Sequence, residues 1–169
     1  MANEVYTRTN QTVHFARRAI DSWREAESSS DLDAVTQARY HRANALFHLY
    51  RGVLAVIHEV ADRYRWPLIE VRMVENGLNA ELVKRFPGPE LAELHELAST
   101  PGTWLAALLT AWEELQAPPK PTESKPAGEE LIFSSGSAPA LPWGQDDARQ
   151  ALAALQERLA CYREGMVEW

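Results

Sequence analysis

The sequence predicts an all-α protein, specifically an antiparallel helical bundle of three to four long helices with additional short helices. Apolar residues recur at helical spacing in several long segments. Clusters of Pro, Gly and Ser, which end helices, separate these segments. The alternation of apolar and polar residues that is typical of strands is absent, except for a short stretch around residues 131–133.

The longest predicted helix covers residues 33–66 and is expected to form the centre of the bundle. Its apolar residues, among them Leu46, Leu49, Val53 and Ile57, cover about half of the circumference on a helical wheel. An apolar arc of this width indicates burial on more than one side. We expect the helix to end at Trp66, because Pro67 disfavours helical backbone in the residue before it.

The other helices are predicted from the same signals. A first helix over residues 4–28 ends at a Ser-rich turn and is expected to pack antiparallel to the central helix. Two short helices are expected within residues 67–86, with Leu68 and Val71 in the first of them. Three further helices are predicted: one from Pro89 to Ser99, one that Thr100 caps and that ends at Ala117, and a last one over residues 146–165.

Residues 118–144 differ in composition and contain 6 of the 10 prolines. We expect a long loop before the last helix of a single domain that spans residues 1–169, with an ordered and a disordered loop as the two alternatives. Leu131, Ile132 and Phe133 interrupt the polar character of this loop. This triplet is interpreted as a contact that holds the loop on the bundle, with docking to a partner as the alternative.

Composition and charge narrow the class of protein. A hydrophobic content of 46% and a charged content of 24% are typical of a globular protein. Cys161 is the only cysteine, and the first residues resemble no signal peptide, so a cytoplasmic protein without a membrane segment is expected. Residues 1–66 have 9 basic and 8 acidic side chains, a net charge of +1, and residues 67–169 have 8 and 16, a net charge of −8. This acidic half argues against a nucleic-acid partner.

The second face of the central helix provides the candidate site residues. His41, His48, Arg51, His58, Glu59 and Asp62 line up there with the small residues Ala45, Gly52 and Ala55. A glycine inside a helix costs about 1 kcal/mol relative to alanine, which indicates a packing or functional reason for Gly52. The six titratable residues are therefore predicted to face a partner helix or a cleft, and they are the candidate binding residues.

Metal binding has little support in the sequence. A helical metal site needs ligands three or four residues apart, and no two of the five histidines have this spacing. His58 and Asp62 do have it, but two ligands do not make a site, and a hydrogen bond between them is the simpler interpretation. We predict no metal and no cofactor.

Arg51 and His58 also form a motif with six residues between them. This Arg-x6-His pattern resembles the signature of the HEPN class of helical-bundle domains, many of which are ribonucleases. The resemblance implies that Arg51 would bind the scissile phosphate and that His58 would transfer the proton. That signature allows four to six residues between the arginine and the histidine, so Arg42 and His48, with five between them, match it equally well. The residue after each arginine, which is commonly polar in that class, is Ala43 or Gly52 here.

A second resemblance covers nearly the whole chain. The opening ANEVYTRTNQ and the segment ALFHLYRGVLAVIHEVADRY look like those of an uncharacterised family of small bacterial helical proteins, known from pseudomonads and their relatives. The resemblance implies a cytoplasmic, single-domain bacterial protein. It implies no activity and no catalytic residue.

These observations favour a non-enzymatic, cytoplasmic helical-bundle protein that binds a protein partner or forms a homo-oligomer. Two alternatives remain open. The first is a HEPN-like ribonuclease, or a degenerate domain derived from one, that uses Arg51 and His58. The second is a protein that binds a small ligand in a pocket between the helices that carry the tryptophans.

Overall fold

The computed structural model describes the backbone of residues 2–118 and 142–167, and the side chains of residues 4–118 and 142–166. This part of the chain contains seven helices and no strand, which confirms the predicted all-α bundle. The helices are α1 (Ala2–Ser28), α2 (Ala34–Arg63), α3 (Val74–Gly77), α4 (Ala80–Arg85), α5 (Pro89–Ser99), α6 (Trp104–Gln116) and α7 (Gln145–Val167).

Helices α1 and α2 form an antiparallel hairpin. The turn between them begins after Ser28, where the backbone N–H of Ser29 donates to the Ala26 carbonyl. Arg8, near the start of α1, contacts His58, near the end of α2, and Phe15 lies beside His48. These pairs fix the register in which the first turns of α1 face the last turns of α2.

Helix α2 is the centre of the bundle, as predicted. Helices α1, α5, α6 and α7 and the short α3 all pack against it. Leu46, Leu49, Val53 and Ile57 are completely buried, so α2 contributes core residues toward several neighbours. No helix in the described residues is both long enough and apolar enough to cross a membrane.

The predicted end of α2 at Trp66 is wrong by about one turn. The helix ends at Arg63, and Arg65 has a φ of 57°, in the left-handed region that continues no helix. The backbone N–H of Trp66 then donates to the Ala61 carbonyl, which closes the C-terminus of the helix. The chain has therefore left the helix before it reaches Pro67.

The predicted helical position of Leu68 and Val71 is also wrong. The chain forms turns from residue 64 to residue 70, and the first short helix begins only at Val74. The Val71 carbonyl accepts a hydrogen bond from the His58 ring. No backbone N–H in the described residues donates to this carbonyl, as one would in a helix. The hydroxyl of Tyr50 holds α3 on α2, because it accepts from the Val74 N–H and donates to Glu75.

The start of α6 differs from the prediction by one turn. Thr100 closes α5, and the N-cap of α6 is Thr103, whose side chain accepts from the Ala106 N–H. The Thr103 hydroxyl also donates to the Leu97 carbonyl. Gly102 makes the intervening turn with a φ of 85°, a conformation that favours glycine.

Helix α7 follows residues 142–144, where Trp143 is buried and stacks on Trp23 of α1. Its Ala148, Leu152, Leu155, Leu159 and Tyr162 are buried, which confirms the predicted apolar stripe of the last helix. Cys161 lies off this stripe and is exposed. The predicted contacts of Leu131, Ile132 and Phe133 lie outside the described residues.

Candidate functional site

The six candidate residues of α2 do not form one site. An α-helix rises about 1.5 Å per residue, so His41 and Asp62 lie about 30 Å apart along its axis. The structure places the residues in five different environments, which are described in turn below. The predicted binding role of the set remains a prediction.

His58 is buried, and both of its ring nitrogens are engaged. Nε2 lies 2.7 Å from the Val71 carbonyl oxygen, and Nδ1 lies 3.0 Å from Nη2 of Arg8. A carbonyl oxygen can only accept and a guanidinium can only donate. The ring is therefore neutral, with its proton on Nε2, and it connects α1 to the turn before α3. Its predicted hydrogen bond to Asp62 is not formed.

The surroundings of His58 disfavour its protonated form. Burial lowers the pKa of His58, the hydrogen bond to the Val71 carbonyl raises it, and the nearby Arg8 and Arg51 charges lower it further, with a net shift below the usual range. The pKa of His48 is also lowered, first by burial and then by the charge of Arg51. Both histidines are thus held neutral near pH 7.

This neutral state predicts a pH dependence of stability. The unfolded chain has a histidine pKa of about 6.5 and binds the proton first as the pH falls, so the free energy of unfolding should decrease below about pH 6.5. The uptake of one proton by the unfolded chain lowers the free energy of unfolding by at most about 1.4 kcal/mol for each pH unit. We expect His58→Gln, whose amide can donate to Val71 and accept from Arg8, to reduce this slope between pH 7.5 and 5.5 in urea titrations.

His14→Gln is the matched control for this experiment, because His14 is exposed on α1. It should keep the slope of the unsubstituted protein. An unchanged slope in His58→Gln would show that His58 is not held neutral.

Arg51 lies next to His58 in one groove of about 360 Å³ between α1, α2 and the turn before α3. The structure therefore brings together the two residues of the Arg-x6-His motif. The lining also includes Arg8, Thr12 and Arg72, which the sequence did not indicate. Arg51 is exposed, and its side chain makes no hydrogen bond or ion pair with the described residues.

The small residues of α2 serve helix packing. Ala45, Gly52 and Ala55 are all buried. A Cβ atom on Gly52 would lie 2.9 Å from Cδ2 of Leu155 in α7, which is closer than a carbon contact allows. Gly52 therefore allows α7 to pack closely on α2, which is the packing reason that its unfavourable helix propensity indicates.

Glu59 belongs to an ion pair that joins three helices. Both of its carboxylate oxygens accept from Arg163 of α7, at 2.6 Å from Nε and 2.9 Å from Nη2. Arg163 also donates to Asn10 of α1 at 2.9 Å, and its guanidinium lies 3.9 Å from the ring centroid of Tyr6. This bidentate geometry explains Glu59 as a structural residue.

His48 belongs to a group of aromatic side chains on the outside of the bundle. Its ring lies 5.4 Å from Phe15 of α1 and 5.1 Å from Phe47, and Phe47 in turn lies 6.3 Å from Trp112 of α6. Phe15 is 42% exposed and Phe47 is 44% exposed. We call Phe15, Phe47, His48 and Trp112 the aromatic surface. It joins three helices.

His41 and Asp62 lie apart from both the groove and the aromatic surface. His41 is half-buried near the start of α2, with its ring 5.2 Å from Tyr40 and with Asp31 and Asp33 nearby. Asp62 is exposed, and its side chain makes none of the described hydrogen bonds or ion pairs. Neither residue has a neighbour that suggests a specific ligand.

The described residues contain no group of three or more His, Cys, Asp or Glu side chains that could hold a metal ion. The tryptophans that could line a ligand pocket are used in packing. Trp23 stacks on Trp143, Trp112 on Tyr50, and Trp66 on Tyr64. Trp23 also lines an open groove of about 320 Å³ between the end of α1 and the start of α2, so the ligand-pocket alternative stays a prediction.

Sequence reasoning missed Arg8, Phe15 and Arg163 as parts of these environments. Phe15 carried a usable signal, because it is a large aromatic residue outside the apolar stripe of α1. Arg8 and Arg163 carried no such signal in the sequence. Their partners, His58 and Glu59, are at least 50 residues away along the chain.

Comparison with known proteins adds one finding. No curated protein and no solved structure matches this chain. The model of a family of unknown function, DUF6586, matches residues 1–169, and this confirms the expectation of a domain of unknown function. The chain, a helical bundle with a small arginine-lined groove and an exposed aromatic surface, belongs to the DUF6586 family of unknown function.

Proposed function

We propose that this protein is a non-enzymatic cytoplasmic protein that acts by binding another protein molecule through the aromatic surface. The single observation that carries the proposal is the exposure of Phe15 from α1 and Phe47 from α2, which lie beside His48 and the half-buried Trp112 of α6. Aromatic side chains are enriched in the centres of protein interfaces, where they supply much of the binding energy.

Energetics support the same surface. Burying apolar area contributes about 25 cal/mol per Å², so rings that remain half exposed in the isolated chain can still gain free energy in a complex. Their contacts with His48 and Trp112 limit their freedom before binding. Less conformational entropy is then lost when a partner binds.

Charge indicates the character of the partner. Arg51 is exposed and follows His48 by three residues on α2, which puts both on one side of the helix, so a positive charge borders the aromatic surface. A partner with apolar side chains and a rim of carboxylates would complement it. A second copy can supply such a rim, because residues 67–169 carry a net charge of −8 (8 basic and 16 acidic side chains).

Site-specific photocrosslinking tests the proposal. Benzoylphenylalanine is placed at Phe47, and in a control protein at Val35, an exposed apolar residue of α2 outside the aromatic surface. After irradiation in cells, we expect a crosslinked species of defined mass from position 47, which Phe15→Ser weakens. Sedimentation of the purified protein then shows whether the partner is a second copy.

Equal crosslinking from positions 47 and 35 would contradict the proposal. The same conclusion would follow if Phe15→Ser left the crosslink at position 47 unchanged, because a partner on the aromatic surface must contact both rings.

The HEPN-like ribonuclease has one observation in its favour, namely that Arg51 and His58 line the same groove. The state of His58 argues against it. A catalytic proton donor or acceptor needs a nitrogen that can reach the substrate, and both ring nitrogens are bonded within the protein. RNA cleavage by the purified protein that disappears in His58→Gln would favour the nuclease over the interaction protein.

A further inference from the structure

The groove that contains His58 is positively charged in an acidic protein. Arg8, Arg51 and Arg72 line it, and among the described residues Glu70 is the only carboxylate in its lining. With His58 neutral, the three arginines and one glutamate give the lining a net charge of +2. The whole chain has a net charge of −7. The local charge therefore opposes that of the protein and would attract an anion.

Two of the guanidinium groups have no carboxylate partner among the described residues. Arg8 donates from Nη2 to His58, a neutral ring, so its charge is not compensated. Arg51 makes no ion pair with the described residues, and the carboxylate of Glu70 pairs with Arg72 at 3.7 Å. Like charges repel, so a cluster of this kind is stabilised when a ligand brings negative charge.

Arg8 is also held in position before any ligand arrives. The Val71 carbonyl fixes the proton of His58 on Nε2, and this leaves Nδ1 free to accept from Arg8. A guanidinium has five N–H donors, so Arg8 keeps most of its donors for a ligand while it bonds to the ring. His58 is thus a positioning residue for Arg8.

We propose that this groove binds the phosphate monoester group of a small molecule, with Arg8 and Arg51 as its principal ligands. A phosphate monoester carries about −1.5 to −2 charges at pH 7, which matches the charge of the groove. Its oxygens accept pairs of hydrogen bonds from guanidinium forks. The volume of about 360 Å³ is that of a small-molecule site.

The site is tested by titrating isotope-labelled protein with inorganic phosphate and with glycerol 3-phosphate at constant ionic strength. The NMR signals of the His58 ring report binding, because the ring bonds directly to Arg8. We expect saturable shifts of these signals. Arg51→Gln and Arg8→Gln should each weaken the binding by about tenfold. Arg51 is exposed, so its replacement should leave the fold intact.

Arg17→Gln is the matched control. Arg17 is an exposed arginine of the same helix as Arg8, and the separation of nine positions along the helix places it on the opposite side of α1. Its replacement removes one positive charge but no ligand of the site, so binding should not change. Phe47→Ser should also keep phosphate binding, which separates this site from the proposed partner surface.

Vesicles that contain phosphatidic acid form a second arm of the experiment. If the protein binds inorganic phosphate or glycerol 3-phosphate, the ligand of the site is a small molecule. If it binds only the vesicles, the phosphate that the groove recognises is that of a lipid headgroup. Absence of both responses would overturn the proposal. It would equally be overturned if Arg17→Gln weakened binding as much as Arg51→Gln, because the effect would then be one of net charge.

Discussion

Replacing Gly52 with leucine should lower the free energy of unfolding by about 3 kcal/mol, the upper end of the usual cost of overpacking a core. The first added carbon already lies 2.9 Å from Cδ2 of Leu155, and Leu155 is completely buried, so it has little room to move. The larger side chain must push α7 away from α2. The measurement is urea unfolding followed by far-UV circular dichroism.

Gly165→Leu provides the matched control for this substitution. Gly165 lies in α7, and a Cβ atom built on it meets nothing within 4 Å. Because leucine has a higher helix propensity than glycine, this variant should be as stable as the unsubstituted protein or more stable. If Gly52→Leu proved as stable as Gly165→Leu, α7 would not pack on Gly52 as described.

Replacing Arg163 with alanine should lower the free energy of unfolding by about 2–3 kcal/mol, somewhat less than the usual cost of breaking a fully buried ion pair. The side chains of Glu59 and Arg163 are only 11% and 23% exposed, so the substitution leaves a carboxylate without its partner in a largely dry environment. It also removes the bond to Asn10 and the contact with Tyr6.

Arg149→Ala tests the same chemistry on the surface of the same helix. Arg149 pairs with Asp146 at 3.3 Å, but their side chains are 49% and 98% exposed. Exposed pairs contribute little, so the urea midpoint should stay close to that of the unsubstituted protein. Equal loss of stability in both variants would mean that Glu59 is no better shielded from water than Asp146.

Local signals in the sequence account for most of the fold. The long helices α1, α2 and α7 follow from apolar periodicity, which each segment carries in its own residues. The ends of helices were predicted less well, because several nearby residues can act as caps. Thr100 and Thr103 offer the same hydroxyl three residues apart, and the cap lies at Thr103, whose hydroxyl also reaches the Leu97 carbonyl.

The turn before α3 could not be predicted for a different reason. Leu68 and Val71 have helical spacing, yet the Val71 carbonyl is used by a ring that comes from α2. This hydrogen bond joins residues from two elements and leaves no local trace in the sequence. Tertiary contacts of this kind override local propensity.

The candidate site was predicted only in part. Seven residues correspond to about two helical turns, so the spacing of Arg51 and His58 already placed both on one side of α2, and the structure puts them in one groove. That Glu59 is an ion-pair partner, and that His58 is held by Arg8, depends on contacts with α7 and α1. Such contacts between distant helices can be identified only from the three-dimensional structure.

The central structural claim is that the small and polar side of α2 is chiefly a surface for helix packing, covered by α7 at Gly52. Native-state hydrogen exchange of the α2 amides between Leu49 and Ile57 tests it most directly. We expect these amides to exchange only through global unfolding, because α2 is buried on several sides there. Exchange around Gly52 at a free energy well below that of global unfolding would contradict the claim, since it would show that α7 leaves this side of α2 open.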